Sequence, residues 1–297
     1  MFGRPRFDLD LLARVRQAGL LRGELAVAAS FGEASQRAAS GERSMAVADA
    51  RRMESLDALP AFARLTAARV ATIGAWLGAV PVAVADSALH RAEALKLSPS
   101  GDDERVELPW LVGLGAVVRG DSGGMAAASR TLRGDTTHAA QLAARSLLGL
   151  WLDRRNVAAG ADTLIAVSDE AIRTGRQDGG FSLVSEAVDR LVVARALRRC
   201  GKPAAAGRYP MWTDAFLLEQ SRYAVRFPLA SLVEYERGVA LHESGNREGA
   251  LARLRRFVDH YDQPPAAHRG LVEDAQKRIR ELESLDTKSV KQVPRQD

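Results

Sequence analysis

The sequence predicts an all-α chain of stacked helical hairpins, a right-handed superhelix of the α-solenoid kind, and three observations carry that reading. Alanine, leucine and arginine dominate while aromatic residues are only 5%, which suits helices packed through small side chains and leaves little material for sheets. Glycine and proline fall where apolar segments of helical period stop and start, and no segment alternates as a strand does. Leu232–Ser284 then gives the pattern in full: Tyr235 to Asn246 and Gly249 to Leu254 form two helices, Gly245 sits between them, and Gly238 and Ala250 stand where the helices must approach. Such a hairpin buries its apolar face only by stacking on another hairpin, so one clear unit speaks for the chain.

In chain order the pattern predicts helices over about 7–30 (broken), 44–56, 60–77, 81–97, 104–119, 122–132, 136–154, 157–174, 181–199, 203–226 (broken), 229–243, 247–261 and 264–284. Pro60, Pro81, Pro109 and Pro264 each precede an apolar helical run, where proline's fixed φ and missing donor suit a first turn. Gly41, Gly101, Gly120, Gly134, Gly175, Gly179, Gly201 and Gly245 mark stops or turns, and Asp102, Asp121, Asp135 and Asn246 are placed to cap the helices that follow. The final helix, about Pro264–Ser284, is expected to cover the last apolar face. These elements make one helical repeat domain over residues 1–284, clearest over 108–284, with residues 285–297 as a disordered tail.

A register test asks for a small residue, a turn seven positions later, and another small residue five beyond. Gly238/Gly245/Ala250, Ala194/Gly201/Ala206 and Ala71/Gly78/Ala83 satisfy it; Gly113/Gly120 followed by Ala126 is one position off, and Leu148/Arg155/Gly160 is weaker. The five units are unevenly spaced and longer than the roughly 34 residues of a regular array of this type, so the repeats are degenerate with long connections.

Leu232–Ser284 resembles a tetratricopeptide unit. The run Leu251-Ala252-Arg253-Leu254-Arg255-Arg256-Phe257-Val258-Asp259-His260-Tyr261, followed by Leu271-Val272-Glu273-Asp274-Ala275 and Arg278-Ile279, is similar to the repeat region that follows the kinase domain in some bacterial serine/threonine protein kinases. Leu108, Leu111, Gly113 and Arg119-Gly120-Asp121 fit the same outline. Phe257 departs from the family's small residue, and the family's proline is displaced to Pro264-Pro265. No kinase domain is present: the glycine-rich loop, lysine strand, His-Arg-Asp loop and Asp-Phe-Gly are all missing. The resemblance implies a bacterial, cytoplasmic, non-enzymatic scaffold or regulatory sensor whose first helices grip a protein or peptide in a concave groove, with no cofactor.

Charge and cysteine content narrow the classes. The net charge is +5, and the 37 acids are interleaved with the arginines along most of the chain, which argues against a nucleic-acid footprint. Cys200 is the only cysteine, so an intrachain disulfide and a cysteine-based zinc site are excluded and a reducing compartment is expected. No apolar run follows the N-terminal arginines, so no secretory signal is expected. Val70 to Ala85 carries no charge, but it is too short to span a bilayer and is interrupted by Gly74, Gly78 and Pro81; it reads as two buried helices meeting at a turn.

The candidate sites each have a plainer structural reading. Asp189 to Arg208 is the one charge asymmetry, where Arg195, Arg198 or Arg199, and Lys202 recur at three to four residues, share a helix face and offer an anionic partner, nucleic acid included, a docking place; a solvated face with cations at the dipole's favourable end explains the same residues. Gly120-Asp121-Ser122-Gly123-Gly124 matches the nucleophile motif of trypsin-like serine proteases, but only His90 precedes Ser122 and the flanks are helical, so a hydrolase at Ser122 is the remote reading. Arg119-Gly120-Asp121 and Arg133-Gly134-Asp135 look like adhesion tripeptides and read better as a last turn, a stop and an N-cap. His90, His138, His242, His260 and His268 never pair on one helical face; His260, Asp262 and His268 flank the Pro264-Pro265 turn, yet no metal is expected, since metal sites need three or four convergent ligands. Trp76, Trp110, Trp151, Trp212, Phe181, Phe216, Tyr223 and Tyr235 are expected mostly in the core.

Overall fold

The structure, a computed structural model, describes residues 60–94, 102–174, 182–209 and 223–290, with isolated positions before residue 60. These residues form α1 Pro60–Trp76, α2 Val82–Glu93, α3 Asp102–Arg119, α4 Ser122–Gly134, α5 His138–Arg154, α6 Ala159–Arg173, α7 Ser182–Arg199, the short α8 Pro203–Ala206, α9 Tyr223–Glu243, α10 Arg247–His260, a 3-10 turn Ala266–His268, and α11 Arg269–Val290. No strand occurs among the described residues. The chain is therefore all-α. The helices expected over 7–30 and 44–56, and the residues Trp212, Phe181 and Phe216, lie outside the described residues.

Each odd-numbered helix from α1 to α7 folds back on the even-numbered helix after it, and α9 pairs with α10. The hairpin turns share one piece of stereochemistry. Gly78, Gly120, Gly201 and Gly245 have φ of 71°, 72°, 70° and 83°, and Asn156 has φ 57°. At each of the five, the left-handed residue donates its N–H three residues back and the next residue donates five residues back, as in Gly120 to Val117 (3.2 Å) with Asp121 to Ala116 (2.9 Å), and Gly245 to His242 (3.0 Å) with Asn246 to Leu241 (2.9 Å). This Schellman pairing satisfies the carbonyls left open at a helix end, and it selects glycine or asparagine because those residues tolerate positive φ. In the third hairpin the turn residue is Asn156, seven after Gly149, so the register of that unit is Gly149/Asn156 and the expected Leu148/Arg155 is one position early. Asparagine hides this turn from a search for glycine.

The small residues before the turns let the helices approach. A Cβ on Gly113 would lie 2.3 Å from Leu147 Cδ1 and 3.1 Å from Ala128 Cβ, one on Gly149 2.6 Å from Leu164, and one on Gly238 2.7 Å from Leu254. Ala71, Ala194, Ala206 and Ala250 are buried as the register requires. Ala83 is instead exposed and Ala126 only half-buried, and Ala85 and Ala128 take the buried places in those two hairpins.

Several helix boundaries differ from expectation: the last helix starts at Arg269 after the 3-10 turn Ala266–His268, and not at Pro264. Pro109 lies inside α3 instead of starting it; four residues earlier stands Arg105, which is exposed, so the carbonyl that proline cannot serve belongs to the solvent-facing end of the helix. The break expected between 226 and 229 is absent, and α9 runs through Pro228. α11 continues to Val290, past the expected start of the tail at Leu285, while residues 291–297 lie outside the described residues.

The hairpins stack so that α1, α3, α5, α7 and α9 each touch the next, and α9 returns to touch α1. The first and last of these five described helices therefore touch. One contiguous core results, running from Leu65 through Trp110, Leu114, Leu147 and Leu191 to Phe257, Tyr261 and Leu282. α11 packs against α10 and α9 and so covers the last hairpin.

Candidate functional site: the inner helices and their polar joints

The inner helices are buried on nearly every side: every residue from Leu65 to Ala75 in α1 and from Ser185 to Ala194 in α7 is buried. Yet they carry charge. Arg69, Glu107, Glu186, Asp189, Arg190, Glu236 and Arg237 are all buried and all lie on α1, α3, α7 or α9. Buried charges persist only when paired or hydrogen-bonded, and here pairs join successive hairpins.

At the first joint Arg69 on α1 grips Glu107 on α3 through two hydrogen bonds, with Nη2 to Oε2 at 2.7 Å. At the next two, Trp110 Nε1 on α3 donates to Ser146 Oγ on α5 at 3.1 Å, and that hydroxyl donates to Asp189 Oδ1 on α7 at 2.7 Å. Burial, opposed by the Ser146 bond and reinforced by Glu186, pushes the Asp189 carboxyl up to about 8. Its Oδ2 has no hydrogen-bond partner. A fully buried carboxyl with one free oxygen is better held as the neutral acid.

At the fourth joint Glu236 on α9 accepts from both Arg195 Nε (2.7 Å) and Arg198 Nη1 (2.6 Å) of α7, and Arg198 also grips Glu243 at 2.9 and 3.0 Å. Burial works against the Arg198 charge, but the bonds from Glu243 and Glu236 outweigh it and hold the guanidinium pKa above its ordinary value. Arg199 donates to Asp153 at the end of α5 (3.0 Å), and Arg154 donates to the Val118 carbonyl at the end of α3 (3.0 Å). The candidate anion-binding arginines Arg195, Arg198 and Arg199 therefore point at carboxylates of neighbouring hairpins, and Lys202 is exposed beside them at the cap of α8. The charge asymmetry is local to the sequence and is matched in space by Glu236, Glu243 and Asp153.

Ser122 is the exposed first residue of α4, and Asp121 is spent as the N-cap, accepting from Gly124 N at 2.9 Å. A Cβ at Gly124 would lie 2.4 Å from that carboxylate, and Gly249 stands in the same relation to the cap Asn246. The protease-like spelling is thus a capped turn. In the second tripeptide Arg133 and Gly134 end α4, while Asp135 accepts from Thr137 N (2.8 Å), which holds its carboxyl below the usual range; Thr137, and not Asp135, caps α5. Cys200 is exposed.

His268 is where sequence reasoning missed most. It is buried, and its Nδ1 lies 2.6 Å from the Tyr261 hydroxyl while Nε2 lies 2.8 Å from the Leu77 carbonyl, 191 residues away, a contact no local pattern announces. A neutral ring with its proton on Nε2 accounts for both bonds, Tyr261 donating and Leu77 accepting. Tyr235, Phe257, Tyr261 and His268 follow one another at centroid spacings of 5.2, 5.2 and 6.0 Å, with Phe257 and Tyr261 stacked and the outer two pairs tilted. The available signal was the spacing of Tyr261 and His268 about Pro264-Pro265. Among the described residues no group of three His, Cys, Asp or Glu side chains is placed to hold a metal ion, and no helix is long and apolar enough to cross a membrane.

Trp110, Trp151 and Tyr235 are buried as expected, with Arg155 lying over the Trp151 ring at 5.1 Å. The Tyr235 hydroxyl on α9 donates to Asp274 on α11 (2.8 Å); burial and that carboxylate raise the phenol's pKa. Burial would raise Asp274, but the bonds from Arg278 and Tyr235 prevail and hold it low.

These features define an all-α protein of helical hairpins in which, among the described residues, α9 touches α1 and buried polar bridges join successive hairpins. No protein-family model matches the chain, nor does any curated protein or solved structure.

Proposed function

We propose that this chain is a non-enzymatic binding scaffold of the tetratricopeptide kind, a right-handed array of degenerate hairpins, which engages a protein or peptide in a groove formed by its first helices. The carrying observation is the recurrence of like helical hairpins along the described residues, held to one another by the buried pairs of Arg69 with Glu107 and of Arg195 and Arg198 with Glu236, because stacked hairpins offer a partner a continuous surface. The five like turns support the repeat reading, because they set helix pairs in a constant geometry along the array. A cytoplasmic, bacterial setting accords with the single cysteine and with the kinase-linked resemblance of Leu232–Ser284.

Binding of nucleic acid or another anion at Arg195, Arg198, Arg199 and Lys202 is the lesser reading, since three of these four cations already hold carboxylates. A selected peptide from a random library, titrated by calorimetry into the intact chain and into an Arg195→Glu/Arg199→Glu variant at 50 and 300 mM salt, tests both readings. Saturable binding retained by the variant, with affinity changing less than about threefold with salt, supports the scaffold; affinity falling steeply with salt and lost in the variant moves the function to the basic helix. Failure to select any saturable peptide overturns the scaffold reading.

A further inference from the structure

The turns that end α3, α5 and α7 carry a row of cations along one edge of the array. Arg119 precedes Gly120, Arg154 and Arg155 precede Asn156, and Arg199 and Lys202 flank Gly201; all five cations are exposed. Two bonds tie the row together. Arg154 Nη2 donates to the Val118 carbonyl at 3.0 Å and Arg199 Nη2 to Asp153 Oδ1 at 3.0 Å, so each turn touches the one before it.

The acids of this edge do not balance it. Asp121 is spent as the N-cap of α4, Asp153 is taken up by Arg199, and Asp86 of α2 pairs with Arg119 where both side chains are well solvated and the pair holds weakly. Arg154 bonds a neutral carbonyl and Arg155 lies over the Trp151 ring, so neither charge is neutralised there. Among the described residues no carboxylate holds Arg154, Arg155 or Lys202. The turn itself does not require these cations: the turn at Gly78 has no charged side chain from Leu77 to Pro81, and α1 ends without a basic residue in its last turn. The excess is confined to three successive turns.

Spacing and composition say what fits. Packed helices stand about 8–10 Å apart, so the cations recur at about that interval from turn to turn. A polyproline II segment, with three residues per turn and a rise of about 3.1 Å, returns a side chain to the same face every ~9 Å. A β-strand returns one every ~6.6 Å and falls out of step. Residues 117–122, 152–157 and 197–202 contain no aromatic side chain, and Trp151 is buried under Arg155, so nucleic-acid bases have nothing to stack on. The guanidinium forks of Arg154 and Arg155 suit carboxylates.

We propose that this edge docks an acidic, extended segment of a partner protein, with a carboxylate at every third residue laid across the turns at Gly120, Asn156 and Gly201. The surface lies at the turns and not in the groove proposed above, so the two readings fail separately.

Fluorescence anisotropy on the intact chain tests this, with a labelled peptide of five Glu-Pro-Pro repeats, a peptide of the same composition whose five glutamates are contiguous, and a single-stranded oligothymidylate of equal charge. At about 0.15 M salt the Debye length is about 8 Å, so only cations near the ligand act. The periodic peptide is expected to bind saturably and at least about tenfold more tightly than the other two probes. Arg155→Glu/Lys202→Glu should weaken it at least about tenfold. Arg130→Glu/Arg133→Glu makes the same charge change at exposed positions about 12 Å or more along α4 from Ser122, and should alter the affinity less than about twofold. No saturable binding, equal affinity for the two peptides, tighter binding of the oligonucleotide, or equal loss in the two variants would each overturn the proposal.

Discussion

The Ser146 hydroxyl donates to Asp189 Oδ1 at 2.7 Å and accepts from Trp110 Nε1 at 3.1 Å, so that one small side chain on α5 joins α3 to α7. The carboxyl it meets is wholly buried, and burial is the main reason its pKa stands near 8. An acid whose folded pKa lies above its unfolded value near 4 binds its proton more tightly when folded, so stability falls as pH rises from about 4 to about 8 and is flat beyond.

Asp189→Asn keeps an acceptor for Ser146 and cannot ionise. Urea midpoints at pH 6 and pH 9 should show the parent losing at least about 2 kcal/mol more than the variant over that interval. Equal losses would mean Asp189 titrates normally.

Glu236 is a different case, a buried carboxylate serving two guanidinium groups. Glu236→Gln removes the charge that Arg195 and Arg198 share, leaving Arg198 with Glu243, and should cost about 2–4 kcal/mol in chemical denaturation, toward the low side of a broken buried pair because Arg195 is partly solvated. Arg199→Ala removes a pair whose arginine is 62% exposed and should cost under about 1 kcal/mol.

Gly113 and Gly120 belong to one hairpin but are glycine for different reasons. Gly113→Ala meets Leu147 at 2.3 Å and should cost about 1–3 kcal/mol through overpacking, part of which a Leu147→Ala change restores. Gly120 has open space and φ 72°, so Gly120→Ala should cost about 1 kcal/mol through the backbone, and Gly120→Asn less, as Asn156 already shows at the equivalent turn. Thermal denaturation of the four variants separates the two causes.

Asp121→Ala and Asn246→Ala each remove a side-chain cap and should each cost about 1 kcal/mol in urea denaturation, with Ser122→Ala close to neutral. A large effect at Ser122 with none at Asp121 would reverse the assignment of that motif.

Much of the fold was legible because its signals are local. Gly78, Gly120, Gly201 and Gly245 declare turns by themselves, since positive φ is a property of one residue, and the helices between them follow from apolar period. Asn156 is hidden because asparagine tolerates the same conformation without announcing it, and Pro109 sits inside α3 because a helix end is a property of solvation as well as of sequence. The arginines of α7 were read as an unmatched patch because Glu236 and Glu243 lie about forty residues further on.

The sequence by itself determined the all-α class, the hairpin as the unit, and the positions of four turns, because backbone stereochemistry and helical periodicity act over a few residues. Only the tertiary structure decided that α9 returns to α1, that His268 meets Leu77, and that Asp189 is buried beside Ser146. Those contacts depend on the summed stacking angles of five hairpins, and small differences at each joint add up to whether α9 touches α1.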